Sequence, residues 1–467
     1  MRVEIQHDRG GAGMVDYADD VDGVILEDDE QGNDSEPQEE DAETRRYSDM
    51  AFNPWRFAAT VKAEALVREA VQAVEAAETR QKKRRATDQK VFEDTVEAII
   101  CDLMHHRICG HEHGIRVSRS NRSLGKSRYR NPIYSKVFPS ILDKLEYAGW
   151  IEQTVGDRGK VVKGAQTVIY PGLRLVSRMD AVDISLADMG IADQSDPIIL
   201  QRPKKDRRLF GAREEYEDNE RTRQFRSEMD QINGWLGKAD LEVLDASDIA
   251  VDDTGAAIIR LHDPAKRKLR RYFTDSDHTF TSGGRLFGGF WQNMTKAERR
   301  DLLLIEGESC VALDYSGMGL RIAYGHAGID PGEGDLYLVP GLEDFRSGVK
   351  IVTSAMLAAS TRLRRMPEGT RVKFPRLLKF STVRDAIEGR HPSIRHLFYS
   401  GHGHAVQFTE SQIMVDVLLR LMKMEIVALP VHDAVLIAES KADQTKAVML
   451  EAFRDHVGFP GSVTFEN

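Results

Sequence analysis

The sequence predicts an α+β protein behind a disordered acidic tail, on three observations. Short apolar runs that end on or enclose an acid read as buried strands: Cys310–Leu313 before Asp314, and Ala428–Ile437 around Asp433. Apolar residues at helical spacing fill 54–86, 91–105 and 137–148. Residues 1–43 hold sixteen acids against two arginines, so the net charge of −10 is that of a tail at −14 and a body at about +4.

Blocks of like charge repel and solvate, so residues 1–50 are expected to be disordered. A tail of this kind could also mimic nucleic acid and compete for the basic body. Residues 54–90 form a helical segment rich in Ala, Glu and Lys that ends in the basic run Lys82-Lys83-Arg84-Arg85. Three cysteines make no disulfide framework, no stretch approaches the roughly 20 apolar residues of a membrane span, and the N-terminus lacks a secretory pattern. A cytoplasmic protein with no membrane partner is the expectation.

Residues 91–175 are expected to be a separate small domain. A helix over 91–105 is followed by the basic stretch Arg116–Arg130, which contains Arg128 and Arg130, and by a second helix over 137–148 stopped by Gly149. Two strands, 150–155 and 167–170, then flank a turn carrying Arg158, Lys160 and Lys163. Helix, glycine and hairpin with a basic tip resemble a winged helix-turn-helix, and that resemblance implies DNA binding through Arg128, Arg130, Arg158 and Lys160. Cys101, His105, His106, Cys109, His111 and His113 invite a zinc site. Paired C-x-x-C knuckles are absent and Cys101 lies in a helical pattern, so a mixture of core and surface residues is the alternative.

Residues 176–278 connect the domains and include a charged helical segment from Asp206 to Asp230 and a strand over 256–261. From residue 279 the chemistry becomes dense. Thr281–Asn293 holds four glycines with Arg285, Gln292 and Asn293, a loop that lets backbone pack closely while an arginine reaches phosphate or a base edge. The stretch Val311–Arg321 then offers Asp314 at a strand end, followed by the small residues Ser316, Gly317 and Gly319. Two such strands side by side would bring Asp314 and Asp433 within reach of one pair of divalent ions.

In this order the segments resemble the palm of family A DNA polymerases and of the single-subunit phage-type RNA polymerases. "SGGRLFGGFWQNM" is similar to the segment before the first catalytic motif, matching at Arg285, Gln292 and Asn293; "LDYSGMGLR" resembles motif A at Asp314, Tyr315, Ser316, Leu320 and Arg321. "FRSGVK" resembles the fingers helix at Arg346 and Lys350, Gln407 the glutamine before the last motif, and "PVHDAVLI" motif C at His432 and Asp433. The resemblance covers roughly residues 279–455 and implies that 279–467 form an antiparallel-sheet palm with reduced helical fingers, after a thumb-like connector. It implies a DNA template and primer, nucleoside triphosphates (dNTP or NTP), and two Mg²⁺ or Mn²⁺ ions held by Asp314 and Asp433.

Phosphoryl transfer is consistent with these residue types without the resemblance. Two carboxylates suit hard divalent cations, and a cation pair one helical turn apart, Arg346 and Lys350, suits β- and γ-phosphates. Lys350 could protonate the departing pyrophosphate and His432 would sit beside the primer terminus, and the resemblance implies that Tyr315 and Gly319 face the nucleotide. The departures are equally specific. Ser354 and Ala358 stand where the family carries its aromatic and tyrosine, and Ala434 stands where it carries an acid. Gly319 occupies the position of the glutamate that excludes a ribose 2′-hydroxyl in the DNA enzymes, so ribonucleotides are expected to enter. A compact polymerase or primase-polymerase, suited to replicating a plasmid or phage, is the expectation; a DNA-binding initiator or regulator with an inactive palm is the alternative.

Overall fold

In the computed structural model, which describes residues 50–465 except 79–81, 110–113, 120–123, 125–126, 156–166, 203–212, 245–249, 252–256, 259–261 and 276, helices and mainly antiparallel sheets form an α+β chain. It divides between Gln194 and Ser195 into two units, a boundary inside the stretch 176–278 read as a connector. No helix among the described residues is long and apolar enough to cross a membrane.

The first unit opens with strands β1 (Met50–Ala51) and β2 (Arg56–Ala58) and helix α1 (Val61–Ala76). The continuous helix expected over 54–86 is thus a strand, a helix and the start of another. An Asx turn, Trp55 N–H to Asn53 Oδ1, sits just before β2, and Thr60 takes the extended backbone of a helix N-cap. Leu66, Val67, Ala70, Val71 and Val74 give α1 one buried face. Helix α2 (Ala86–Ile108) is longer at both ends than the expected 91–105. Within the basic run, Arg84 ion-pairs with Glu78 and lies 3.7 Å over the Phe92 ring. That arginine thus serves packing.

Next come β3 (Ile115–Val117), α3 (Phe138–Tyr147), β4 (Ile151–Thr154) and β5 (Thr167–Pro171), then α4 (Leu173–Val182) and β6 (Met189–Ile191). The sheet runs β1-β3-β5-β4, with β3-β5 and β5-β4 antiparallel and β1-β3 parallel. Gly149, at a φ of +76, follows α3 in the left-handed backbone that closes helices. Ile99, Phe138, Leu142, Trp150 and Ile169 meet in the core. Cys101 is fully buried on α2 with its thiol pKa pushed well up by desolvation, and Cys109 lies beside the His105 ring. His111 and His113 lie outside the described residues. No group of three or more His, Cys, Asp or Glu able to hold a metal is found among the described residues.

The second unit begins with β7 (Ile198–Gln201), α5 (Glu220–Leu236), β8 (Leu241–Val243), β9 (Ala250–Val251) and β10 (Ala257–Ile258). The helix expected from Asp206 starts at Glu220, because Asn219 and Thr222 make a reciprocal capping box there. Strands β11 (Arg270–Thr274) and β12 (Gly283–Phe287) form a sheet with β7. Helix α6 (Lys296–Leu302), β13 (Leu303–Ile305), β14 (Glu308–Tyr315), α7 (Met318–His326), α8 (Arg346–Ala358), α9 (Phe380–Arg390), α10 (Gly403–Lys423), β15 (Ala428–Val431), β16 (Ala434–Ala438), α11 (Ala442–Val457) and β17 (Val463–Phe465) complete it. Its main sheet runs β15-β16-β14-β13-β8, with β17 also pairing with β14, antiparallel throughout.

Arg271 ties the smaller sheet to its helices. It is wholly buried, donates to Gly284 O, Ser411 Oγ and Gln412 Oε1, pairs with Glu228, and lies 4.3 Å over the Phe225 ring. Desolvation pulls its pKa down to about 10 against the pull of Glu228.

Asp188 plays the equivalent part in the first unit, accepting from Thr60 Oγ1 at 2.7 Å and from Ser185 N and Oγ at 2.8 Å, and pairing with Lys62 at 2.8 Å. Burial would raise its pKa, but these donors outweigh burial and hold it well below the usual carboxylate range. A depressed folded pKa stabilises above the unfolded value near 3.9 and is lost as pH falls below it. Asp188→Asn is expected to cost about 2 kcal/mol at pH 7 and to show a smaller penalty at pH 3, measured by urea denaturation at both pH values.

Candidate active site

Asp314 stands near the end of β14 with a strand on either side, opposite Ala434 of β16 and Thr464 of β17. One step further on, the Tyr315 amide donates to the Asp433 carbonyl at 3.4 Å. Asp314 near the end of β14 and Asp433 in the turn just before β16 therefore lie at the same end of one sheet. Val431 pairs with Ala434, so His432 and Asp433 alone make the turn between β15 and β16. Asp433 is outside the ladder, and strict alternation of faces does not dictate where its carboxylate points.

The turn carries backbone strain. His432 has a φ of +54 at the first central position, where two-residue hairpins with positive φ favour glycine. Its ring meets Phe287 of β12 edge-on at 5.8 Å, and its Nδ1 atom is buried, as is Oδ1 of Asp314.

Strand β12 and the turn after it connect this hairpin to α10. Arg285 donates to Glu410 at 2.9 Å, and Glu410 is buried on α10 one turn after the half-buried Gln407. Gln292 works as an internal clamp. Its amide donates to Leu286 O and Pro430 O, both at 3.0 Å, and accepts from Gly288 N, while Trp291 Nε1 also donates to Pro430 O. These bonds position β15 and the hairpin turn, a role the sequence did not suggest. Asn293 is exposed beside it.

Helix α8 begins at Arg346, which pairs with Asp335 and lies 5.7 Å over the Tyr337 ring. Lys350 follows one turn later and is half-buried. Desolvation alone would raise the Asp335 pKa; the bonds from Arg346 and the Tyr337 amide keep it below normal instead. Neither Asp335 nor Tyr337 carried a recognisable signal in the sequence, because both lie in the irregular segment between α7 and α8. Ser354 and Ala358 are exposed on α8, with no aromatic side chain at either position.

Tyr315 departs from the nucleotide-facing position expected of it. It is 2% exposed, donates its hydroxyl to Met449 O at 2.6 Å and packs on Phe453. Alternation along β14 turns it into the core, and it has no surface to offer a nucleotide. Arg321 is likewise structural, with bonds to the carbonyls of Ser316, Gly332 and Gly334 that anchor the chain after α7. Gly319 lies in the first turn of α7, and a Cβ there would meet only Val406 at 3.6 Å, an ordinary contact. Packing does not require that glycine.

In the first unit, Arg128 and Arg130 are half-buried in the turns before α3, and Arg158 and Lys160 lie outside the described residues. Helix α3 itself is not basic. It carries Asp143 and Glu146; Lys144 is tied to Glu78 at 2.6 Å, and Arg119 bridges to Asp143 at 2.7 Å.

Asp314 and Asp433 are the side chains that could hold a divalent ion. Hard carboxylate oxygens fit Mg²⁺, which ordinarily takes one or two carboxylates from a protein and its remaining ligands from water and substrate phosphates. A pair of aspartates at one strand end is a donor set of that kind.

No family model matches this chain, and no curated protein matches it. Among solved structures, it is similar to the POL domain of Pol1 from M. smegmatis, a structure in complex with DNA primer-template and dNTP, at 11% identity and a TM-score of 0.28. The likeness covers 88% of this chain and 66% of that one. At that score it bears no weight for fold or activity, and the residues must carry the functional reading.

With its nearest neighbour at van der Waals distance, Gly319→Ala is expected to fold and to gain about 0.5 kcal/mol from the lower entropy of alanine in a helix. Urea denaturation measures the gain; a loss above 1 kcal/mol would show that the glycine serves packing.

Proposed function

We propose that the second unit is a template-directed nucleotidyltransferase, a DNA polymerase or primase-polymerase, and that residues 91–175 are a winged-helix module that brings it to DNA. The observation that carries the first part is the β14-β16 register, with Asp314 at the end of β14 opposite Ala434 and Asp433 next to it in the turn that His432, at positive φ, opens. Support for the second part comes from the order α2, β3, α3, β4, β5 and the antiparallel β3-β5-β4 pairing, together with basic residues ahead of α3. The acids on α3 give that helix a shape-fitting rather than an electrostatic part, so phosphate contact falls to Arg128, Arg130, Arg158 and Lys160.

In the reaction a 3′-hydroxyl oxygen attacks the α-phosphorus of a nucleoside triphosphate, the bond to the bridging oxygen breaks, and pyrophosphate leaves. Two Mg²⁺ or Mn²⁺ ions, when bound by Asp314 and Asp433, supply the charge that lowers the hydroxyl pKa and offsets the developing negative charge. Arg346 exchanges its Asp335 partner for the β- and γ-phosphates, for which a guanidinium is well shaped. Lys350, one turn along, delivers a proton to the leaving pyrophosphate. His432 orients the primer terminus, and Arg285, held by Glu410, Gln407 and exposed Asn293 line the template path. Gly319 leaves room for a 2′-hydroxyl. The chain is expected to serve a small replicon such as a plasmid or phage.

A second reading is favoured by Ser354, Ala358 and Ala434, where the resemblance would place aromatic and acidic side chains: a DNA-binding initiator or regulator whose palm does no chemistry. Purified protein offered primed and unprimed templates, Mg²⁺ or Mn²⁺, and labelled dNTPs or NTPs decides between them. Incorporation is expected, with a loss of about 10²- to 10³-fold in Asp433→Ala, on the order of what removing one group that stabilises transition-state charge costs. DNA binding without incorporation under any condition selects the second reading. Gly319→Glu is expected to lower ribonucleotide incorporation at least tenfold relative to deoxynucleotide; an unchanged ratio would assign sugar choice to another side chain.

A further inference from the structure

The stretch from the loop after α8 through α9 to the start of α10 carries a large surplus of positive charge. Residues 361–400 contain ten Lys or Arg against three Asp or Glu, and eight of the ten are arginine. Two of the acids are already engaged. Buried Glu388 is held by Arg362 at 3.0 Å and Arg395 at 2.6 Å, and Asp385 by Arg384 at 2.9 Å. In the middle of this surface stands an apolar tip. Leu377 is 95% exposed, and Val372, also in the loop, is 79% exposed. Exposing a whole leucine forgoes roughly 2 kcal/mol of burial.

The tip is built and held. Leu378 N–H bonds to Pro375 O at 3.0 Å, closing a turn with Arg376 and Leu377 at its centre. The Arg371 guanidinium then grips that turn from inside, donating to Leu378 O at 2.8 Å, to Pro375 O at 3.0 Å and to Arg376 O. The base of the loop is pinned by Phe374, which is buried on α8 so tightly that a Cβ on Gly348 would lie 2.6 Å from its ring. Gly348 lies between Arg346 and Lys350. The loop is therefore a rigid extension of the helix that carries the proposed phosphate-binding pair.

From this geometry we infer that Leu377 is a wedge that enters a nucleic-acid duplex and unstacks a base step, while exposed Arg376 and Lys379 on either side hold the backbone phosphates. Leucine is among the side chains that proteins insert between base steps, and unstacking costs a few kcal/mol that neighbouring phosphate contacts must supply. The excess of arginine over lysine suits phosphates and base faces. A single leucine on a tight turn is a poor membrane anchor, which needs a broad apolar face. The inference rests on the proposal that the second unit acts on nucleic acid.

The test is binding of the full chain, with no nucleotide present, to a forked DNA duplex carrying 2-aminopurine at the junction. Wild type is expected to raise the fluorescence by unstacking the probe. Leu377→Ala, a change at a fully exposed side chain, should cut the rise at least fivefold with less than a threefold loss of affinity. Arg371→Ala, which releases the three carbonyls of the turn, should cut it as well. An equal rise in wild type and Leu377→Ala, or none in wild type, overturns the wedge. So does binding to phosphatidylserine vesicles that depends on Leu377 and is unaccompanied by unstacking. A chain that unstacks the probe but incorporates no nucleotide upholds the wedge and overturns the nucleotidyl transfer.

Discussion

The pairing of β14 with β16 is the constraint on which the second unit depends. Five consecutive pairs, from Cys310↔Ala438 to Asp314↔Ala434, set which side chains enter the core and which residues meet at the strand end. A slip of one residue would turn Leu313 and Tyr315 outward, drive Asp314 into the apolar layer and separate it from Asp433. The register is secured on both flanks. Strand β16 is buried along its whole length, and β17 adds three pairs to the other edge of β14.

Polar clamps then position what the sheet presents. Gln292 and Trp291 both donate to Pro430 O, which fixes β15 immediately before the strained His432 turn. Proline cannot donate to a ladder, so its carbonyl is the handle available for such a tie. Arg285 is aimed by Glu410, and Arg271 joins β11 to the same helix through Ser411 and Gln412. Each clamp crosses more than a hundred residues of sequence. Helix α10 thereby connects the glycine-rich strand β12 with the rest of the unit.

The chain separates its charges by purpose. Several arginines serve packing: Arg84 against Phe92, Arg271 inside a core, Arg321 beneath a loop, Arg371 within a turn. Others keep surface to offer, among them Arg346 at the start of α8 and Arg376 and Lys379 on the loop before α9. A body only mildly basic in composition therefore holds both internal staples and exposed cations.

The α+β class, the strand on each side of Asp433, the strand before Asp314 and the helix carrying Arg346 and Lys350 were legible in the sequence because each rests on local signals: apolar runs, a glycine-rich break and helical spacing. Helix starts were less so. The strand at Arg56–Ala58 and the capping box at Asn219 override composition that looks helical throughout. The sequence alone determined which residue types could do phosphoryl chemistry, since carboxylates, an arginine and a lysine are chosen by their chemistry. Only the tertiary structure decided who is available for it. Tyr315 and Gln292 match the motifs as well as Asp314 does, but one is turned into the core and the other spends its amide on Pro430, because burial and hydrogen-bond partners depend on contacts between residues far apart in the chain.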